Sequence, residues 1–384
     1  MEKEIRQLVQ TFHDTPGHIV FVTAGAGSKA LSWLQGVAGA SRTLLEALVP
    51  YQEPAFNDFL GFKPEQYVSP ETAGLLAGLA FRRAVFLGDR MPEGERRPVI
   101  GLICTATIAT DRPKRGDHRA HIAYWHHGKM ARHSIYLDKG ARGRQEEEKV
   151  VSRVILNALA QGYNLSNALP LPLLPGDAFE THETNIEEKV SCLLSGQIPC
   201  FGVRADGLLL KDPPKVILSG SFNPLHEGHQ TLAKAAGKIL GTPVGFELAV
   251  VNADKPSLPL ADVLNRLAQF SGQHTILASG APTFVEKARL YPGTTFVVGF
   301  DTAERILQTR FYNDSEQERR AALETIRQQG CRFLVAGRAD EVGTFREAAD
   351  LDTPPDFTEL FQPIPADLFR RDISSTELRQ SEGQ

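Results

Sequence analysis

The chain opens on a charged amphipathic stretch, MEKEIRQLVQ, and then alternates apolar runs with helical patterns. HIVFVTAG (18–25) is apolar and ends in glycine, which predicts a strand running into a turn. Residues 28–49 carry helical spacing, interrupted by the glycine-containing VAGAS. Ser69 before Pro70-Glu71-Thr72 predicts a capped helix that continues to about Ala84. PVIGLICTATI (98–108) predicts a buried strand, and RAHIAYWHHGKMARHSIYL (119–137) a hairpin turning at His127-Gly128-Lys129. Gln145 to Gln161 reads as a helix.

The proline-rich middle, with its LPLPLLPGD, reads as a linker carrying a short helix near Glu187 and a short hairpin near 200–210. A second regular block follows. KVILSG (215–220), GFELAVVNA (245–253), TILAS (275–279), TTFVVGF (294–300) and CRFLVAGR (331–338) predict strands, with a helix from about Glu227 to Leu240 after the first. Strands alternating with helices predict an α/β fold with a doubly wound parallel sheet. The expected organisation is one α/β domain over 1–165, a linker over 166–214 and a second α/β domain over 215–384.

Composition narrows the function classes. The chain has 384 residues, of which 42% are hydrophobic and 23% charged, enough for a core in each of two soluble domains. A net charge of -4 disfavours a general nucleic-acid binder and leaves small anionic ligands open. The four cysteines, Cys104, Cys192, Cys200 and Cys331, form no C-x-x-C pair and read as reduced thiols. No apolar stretch has the length of a membrane span or a signal region, so the expected location is cytoplasmic with no membrane partner.

Candidate chemistry concentrates in Gly220-Ser221-Phe222-Asn223-Pro224-Leu225-His226-Glu227-Gly228-His229. It lies between a predicted strand and helix, where a parallel sheet opens its ligand crevice. A helix start offers unpaired N–H groups and partial positive charge to phosphates. His226 and His229 sit three residues apart across the first turn, so both can face one ligand. Gly228 keeps a side chain out of the space between them. Far downstream, Ile373-Ser374-Ser375-Thr376-Glu377-Leu378-Arg379 predicts a capped helix start that aims the Arg379 guanidinium at phosphates. There is no G-x-x-x-x-G-K-[ST] phosphate loop.

From Lys215 to Arg379 the chain resembles the HxGH nucleotidyltransferases, particularly the nicotinamide/nicotinate mononucleotide adenylyltransferases, through its GSFNPLHEGH and ISSTELR segments. The resemblance implies Mg-dependent transfer of a nucleotidyl group from ATP to a small phosphorylated acceptor, with release of pyrophosphate. It implies catalytic roles for His226, His229 and Arg379. It implies nucleotide contacts from Gly220, Ser221, Phe222, Asn223, Gly228, Gly299, Asp301, Arg338, Ser374, Ser375 and Thr376. Lys255, Thr283 and Phe284 fall where the family meets its acceptor. The family often adds a tryptophan against the pyridine ring, whereas Trp33 and Trp125 both lie in the other half. Class I aminoacyl-tRNA synthetases share the histidine motif, but no KMSKS-type loop is visible here.

Residues 18–160 resemble, more distantly, the C-terminal domain of the competence-damage (CinA) family, whose active members deamidate nicotinamide mononucleotide. Val22-Thr23-Ala24-Gly25-Ala26-Gly27-Ser28 takes the place of T-A-E-S-C-T-G-G, and Ala38-Gly39-Ala40-Ser41, Tyr51, Leu60-Gly61 and Val68-Ser69 align with further landmarks. The family's serine falls on Ala26 and its lysine on Phe56, neither of which can act as nucleophile or base. The resemblance therefore implies a deamidase-like domain without deamidase chemistry. His118, His121, His126, His127 and His133 match no common zinc spacing and read as a solvated hairpin with no metal. The alternatives are a bifunctional deamidase–adenylyltransferase, or a cytidylyl- or phosphopantetheine-type transferase with the first domain as a ligand-binding or oligomerisation module. A homo-oligomer is compatible with each.

Overall fold

The computed structural model describes residues 1–112, 115–251, 257–339 and 344–370. The chain divides into two compact units. One holds Met1–Lys189, Val203–Leu209 and Leu267–His274, and the other Val190–Gly202, Leu210–Arg266 and Thr275–Gln384.

The first unit contains α1 (Lys3–Asp14), β1 (His18–Ala24), α2 (Ser28–Gln35), β2 (Leu44–Leu48), α3 (Glu53–Leu60), α4 (Pro70–Gly88), β3 (Val99–Thr107), β4 (His118–His126), β5 (Lys129–Leu137), α5 (Arg144–Gly162) and β6 (Ala178–Asn185). Among the described residues its strands form one sheet in the order β2-β1-β3-β4-β5-β6. β1 runs parallel to both β2 and β3, and the remaining pairs are antiparallel. Ser69 caps α4 as expected, its hydroxyl accepting from Thr72 N–H at 3.1 Å, an interaction worth about 1 kcal/mol. One apolar cluster gathers Ile5 and Phe12 of α1, Phe21 of β1, Leu102 of β3, Tyr124 of β4 and Val154 of α5.

Two segments depart from the sequence pattern. Residues 28–49 are not one helix. α2 ends at Gln35, Gly39 takes φ 109, and Leu44–Leu48 pairs with β1. LLEAL has good helix formers, but ladder pairing at the sheet edge overrides that propensity. β6 (AFETHETN) lies within the expected linker and shows no apolar alternation, because nearly every residue of this edge strand is exposed.

The hairpin forms as read, but it is not solvated. His118, His121 and His133 are each under a tenth exposed. Both faces of β4 carry helices, α4 and α5, so alternation along the strand leads from one covered face to the other. His127 meets Phe81 of α4 edge-on, whereas His126 stacks beside Tyr124 on the opposite face.

The second unit carries α6 (Ile186–Leu194, begun in the first), β7 (Cys200–Val203), β8 (Val216–Ser219), α7 (Glu227–Leu240), β9 (Gly245–Ala249), α8 (Leu260–Ala268), β10 (Ile276–Ser279), α9 (Phe284–Leu290), β11 (Thr295–Gly299), α10 (Phe300–Leu307), α11 (Glu316–Gln328), β12 (Arg332–Ala336), β13 (Arg338–Ala339), β14 (Phe345–Arg346) and β15 (Phe361–Ile364). The main sheet has the order β15-β12-β11-β8-β9-β10-β7, and β13 pairs with β14. Its central pairs are all parallel. The protein is thus α/β, with a doubly wound parallel sheet in this unit. From β8 the chain builds β9 and β10 on one side, then returns for β11 and β12 on the other. Phe296, Phe333 and Phe361 from three adjacent strands join Leu323 and Ile326 of α11 in the core.

Burial pushes His121, His126 and His133 from 6.5 down to about 4, in each case chiefly by desolvation. Between these values the unfolded chain holds more protons than the folded one. Their contribution to stability is therefore complete above the unfolded value and is lost as pH falls toward the folded one. Both tryptophans lie in the first unit, so their fluorescence reports its unfolding. The denaturation midpoint is expected to drop clearly from about pH 7.5 to about pH 5; a midpoint that stays level would contradict the buried neutral histidines.

Candidate functional site

Neighbouring parallel strands whose chains depart to opposite sides leave a crevice at their carboxyl ends. In the second unit those strands are β8 and β11. The segment after β8 is the glycine–histidine motif, and the segment after β11 is Gly299-Phe300-Asp301.

The motif loop folds back on itself. Gly220 N–H donates to the Glu247 carbonyl at 3.0 Å, carrying the ladder one residue beyond β8. Phe222 has φ 43, and its buried ring returns over Gly220, where a Cβ would stand 2.8 Å from the ring. Glycine at 220 is thus a steric requirement. The Phe222 ring meets Phe246 at 5.6 Å and His229 at 5.1 Å, both edge-on. It forms an apolar floor beneath the histidines.

His226 takes the N-cap position of α7 in extended conformation, and its carbonyl accepts from His229 N–H at 3.0 Å. His226 N–H donates to Nδ1 of His229 at 3.3 Å, and the two rings stack with centroids 3.7 Å apart. This bond fixes the tautomer: Nδ1 of His229 accepts, so its proton resides on Nε2. Burial, followed by repulsion from His226, lowers the His229 pKa to about 4. At neutral pH His229 is an uncharged donor at a helix start, suited to a phosphate oxygen.

Gly299 is the N-cap of α10, and a Cβ there would meet open space. Asp301 forms an ion pair with Arg338, so the structure brings together two expected nucleotide contacts at the ends of β11 and β12. Ser221 and Asn223 are exposed on the loop, and Gly228 is buried in the first turn of α7. Thr283 and Phe284 have structural engagements. The Thr283 hydroxyl caps α9 through Glu286, and the Phe284 ring packs on Phe296 at 5.4 Å and on Phe333 at 5.3 Å. Lys255, Ser374, Ser375, Thr376 and Arg379 lie outside the described residues. Among the described residues no group of three or more His, Cys, Asp or Glu is placed to hold a metal.

Sequence reading missed Arg266 and a buried polar cluster. Arg266 of α8 donates to the Ser221 carbonyl at 3.0 Å. Fully buried Glu247 accepts from Ser279 Oγ at 2.5 Å and pairs with Lys287 at 2.6 Å. A charged residue inside the otherwise apolar GFELA strand was the available signal.

In the first unit, the corresponding crevice lies between β1 and β3. A cleft of about 220 Å³ there is lined by Tyr51, Phe56, Tyr67, Thr105, Thr107 and Arg144, among others. Gly25, at φ 87, admits the Ala106 carbonyl, which a Cβ would overlap at 1.8 Å. Phe56 stands edge-on to Tyr67 at 5.2 Å, and Ala26 is buried in the core. The start of α2 is filled from within: Glu148 Oε1 accepts from Gly27 N–H and Lys29 N–H at 3.0 Å and from Ser28 Oγ at 3.1 Å. Buried Glu147 meets His118 Nδ1 at 2.7 Å and Ala109 N–H at 2.6 Å, fixing the loop beyond β3.

No protein-family model matches the chain, and no curated protein does. Among solved structures, it is similar to the competence/damage inducible protein CihA from Agrobacterium tumefaciens, with 21% identity over 43% of this chain and 98% of that one, at a TM-score of 0.35. A competence-damaged protein (CinA) superfamily protein from Escherichia coli is similar at 17% identity over 42% and 88% of the two chains, with a TM-score of 0.32. One from Enterobacter cloacae shows 14% identity over 41% and 92%, with a TM-score of 0.28. These likenesses cover the N-terminal part of the chain. Among the described residues no helix is long and apolar enough to cross a membrane.

The hydrogen bond between His226 and His229 generates a spectroscopic expectation. At pH 7, ¹⁵N chemical shifts of His229 should report an unprotonated Nδ1 and a protonated Nε2, with titration only toward about pH 4. Titration near the ordinary imidazole value, or the opposite tautomer, would refute this geometry.

Proposed function

We propose that the second unit is a nucleotidyltransferase that joins a small phosphorylated acceptor to the nucleotidyl group of ATP. The observation that carries this reading is the stacked His226–His229 pair at the start of α7, at the β8–β11 crevice. An oxygen of the acceptor's phosphate attacks the α-phosphorus of MgATP. A P–O bond forms, the bond between the α-phosphorus and its bridging oxygen breaks, and pyrophosphate departs with that oxygen. No protein nucleophile is needed. The protein must align the two phosphates and stabilise charge as it moves onto the leaving group. His229 Nε2–H and the N–H groups of the first turn supply donors in a fixed arrangement. Magnesium enters on the triphosphate as part of the substrate. We assign Asp301 and Arg338 to the nucleoside end, and opening their ion pair would free both for it.

The acceptor we propose is nicotinate or nicotinamide mononucleotide, in keeping with the form of the two sequence motifs. The test is a competition assay with MgATP and pyridine mononucleotides, phosphopantetheine and sugar phosphates, read by product mass. A pyridine dinucleotide is the expected product. If only another adenylylated product forms, the acceptor assignment fails and the reaction class stands. His229→Ala should lower the transfer rate about 10²–10³-fold while the protein stays folded. Near-normal turnover in that variant would refute the class.

For the first unit we propose a ligand-binding role without deamidation. Its cleft has aromatic walls and Arg144, but Ala26 and Phe56 bring no nucleophile or base. Incubation of the full chain with nicotinamide mononucleotide, without ATP, should release no ammonia above background; enzyme-dependent ammonia would establish the bifunctional alternative instead.

A further inference from the structure

A cavity lies at each end of β1. The cleft described above touches Ala24 and Gly25, at the carboxyl end of the strand. A second cavity, of about 530 Å³, touches Gly17 and His18 at the amino end. The length of the strand, roughly 20 Å, separates the two. The lining of the second includes Asp14, His18, Arg42, Met91, Glu95 and Arg97, all within the first unit.

His18 is only 4% exposed. Its N–H donates to the Pro98 carbonyl at 2.8 Å, so the backbone is fixed, but Nδ1 of its ring has no hydrogen-bond partner among the described residues. Buried polar atoms in folded proteins are nearly always paired, so this one calls for a partner. His13 lines the same cavity and is equally buried, yet both of its ring nitrogens are engaged, with Thr43 Oγ1 at 2.8 Å and the Leu34 carbonyl at 2.9 Å. The charges differ in the same way. Asp14 accepts from Arg42 at 2.9 Å and from Gln10 at 3.1 Å, so that carboxylate and Arg42 offset one another. Exposed Arg97 directs Nη1 to the carbonyls of Gly94 and Arg96, at 3.0 and 2.9 Å, and forms no ion pair among the described residues. Glu95 is exposed as well, but Arg97 acts more strongly than Glu95 on the His18 ring, and together with burial it keeps that ring from protonating.

We infer that this cavity is a second small-molecule site, which takes an oxyanion, a carboxylate or a phosphate group, on the Arg97 guanidinium and the His18 imidazole. The neutral ring donates from Nδ1 in the matching tautomer, while the guanidinium offers N–H groups in pairs and offsets the charge. An anion here also relieves the repulsion that Arg97 exerts on the ring. The site owes nothing to the transferase reading of the second unit.

The test titrates the full-length protein, labelled with ¹⁵N-histidine, at constant pH. Sodium phosphate and sodium succinate are added separately, each against sodium chloride at equal ionic strength. His18→Gln identifies the His18 signals. A saturable shift of those signals is expected with at least one anion: phosphate alone marks a phosphoryl ligand, and succinate alone a carboxylate. Arg97→Gln, a change at an exposed side chain, should raise the apparent Kd about ten- to a hundredfold, the range for loss of hydrogen bonds to a charged group. Arg97→Lys should recover part of the affinity, since it keeps the charge and loses the fork. His18 signals that move no further with either anion than with chloride would overturn the inference, as would an unchanged Kd in Arg97→Gln. Should His18→Gln fail to fold, a saturable histidine shift that disappears in Arg97→Gln supports the site, and one that persists there refutes it.

Discussion

β8 and β11 lie side by side in register, while the chain leaves them toward opposite edges of the sheet. Two parallel neighbours cannot both be followed by helices packed into the same space, so their carboxyl ends open into a crevice. The rest of the second unit depends on this constraint. It puts the glycine–histidine loop and Gly299-Phe300-Asp301 at the ends of neighbouring strands, although the two segments are far apart in sequence. It also aims the start of α7 at whatever enters. β1 and β3 meet the same requirement in the first unit, where a cleft is lined by aromatic side chains and Arg144.

The two clefts treat negative charge in different ways. At α7 the helix start has neutral His229 beside it. At α2 the equivalent backbone donors are already taken by Glu148, a carboxylate supplied by α5. That arrangement stabilises a helix whose own N-cap, Gly27, has no side chain to offer. It also leaves those donors unavailable to a ligand phosphate.

Much of this was legible in the sequence where local chemistry and tertiary context agree. The central strands of the second sheet, buried on both faces, read as unbroken apolar runs, and Val216–Ser219, Ile276–Ser279 and Thr295–Gly299 each fall inside the expected segment. The motif loop was legible because its glycine, proline and histidines are contiguous. β2 and β6 were not, since an edge strand needs neither alternation nor strong β propensity once a neighbour supplies the ladder. The hairpin histidines were misjudged because a strand alone does not reveal that helices cover both of its faces. Arg266 gave no local signal. Within LADVLNRLA it is an ordinary helical arginine until the fold brings Ser221 to it. Thr283 and Phe284 stood in suggestive places, and the structure engages them in capping and packing.

Phe222 carries two demands that few residues can meet together. Its backbone sits at φ 43, where side chains other than glycine, asparagine and aspartate are uncommon, and its ring is wholly buried under His229. The residues most at ease in that backbone geometry are too small or too polar to fill the space. Those that would fill it, such as leucine or isoleucine, resist the geometry or lack the flat edge that meets the imidazole. The position is therefore a mutational bottleneck, held by backbone and cavity at once.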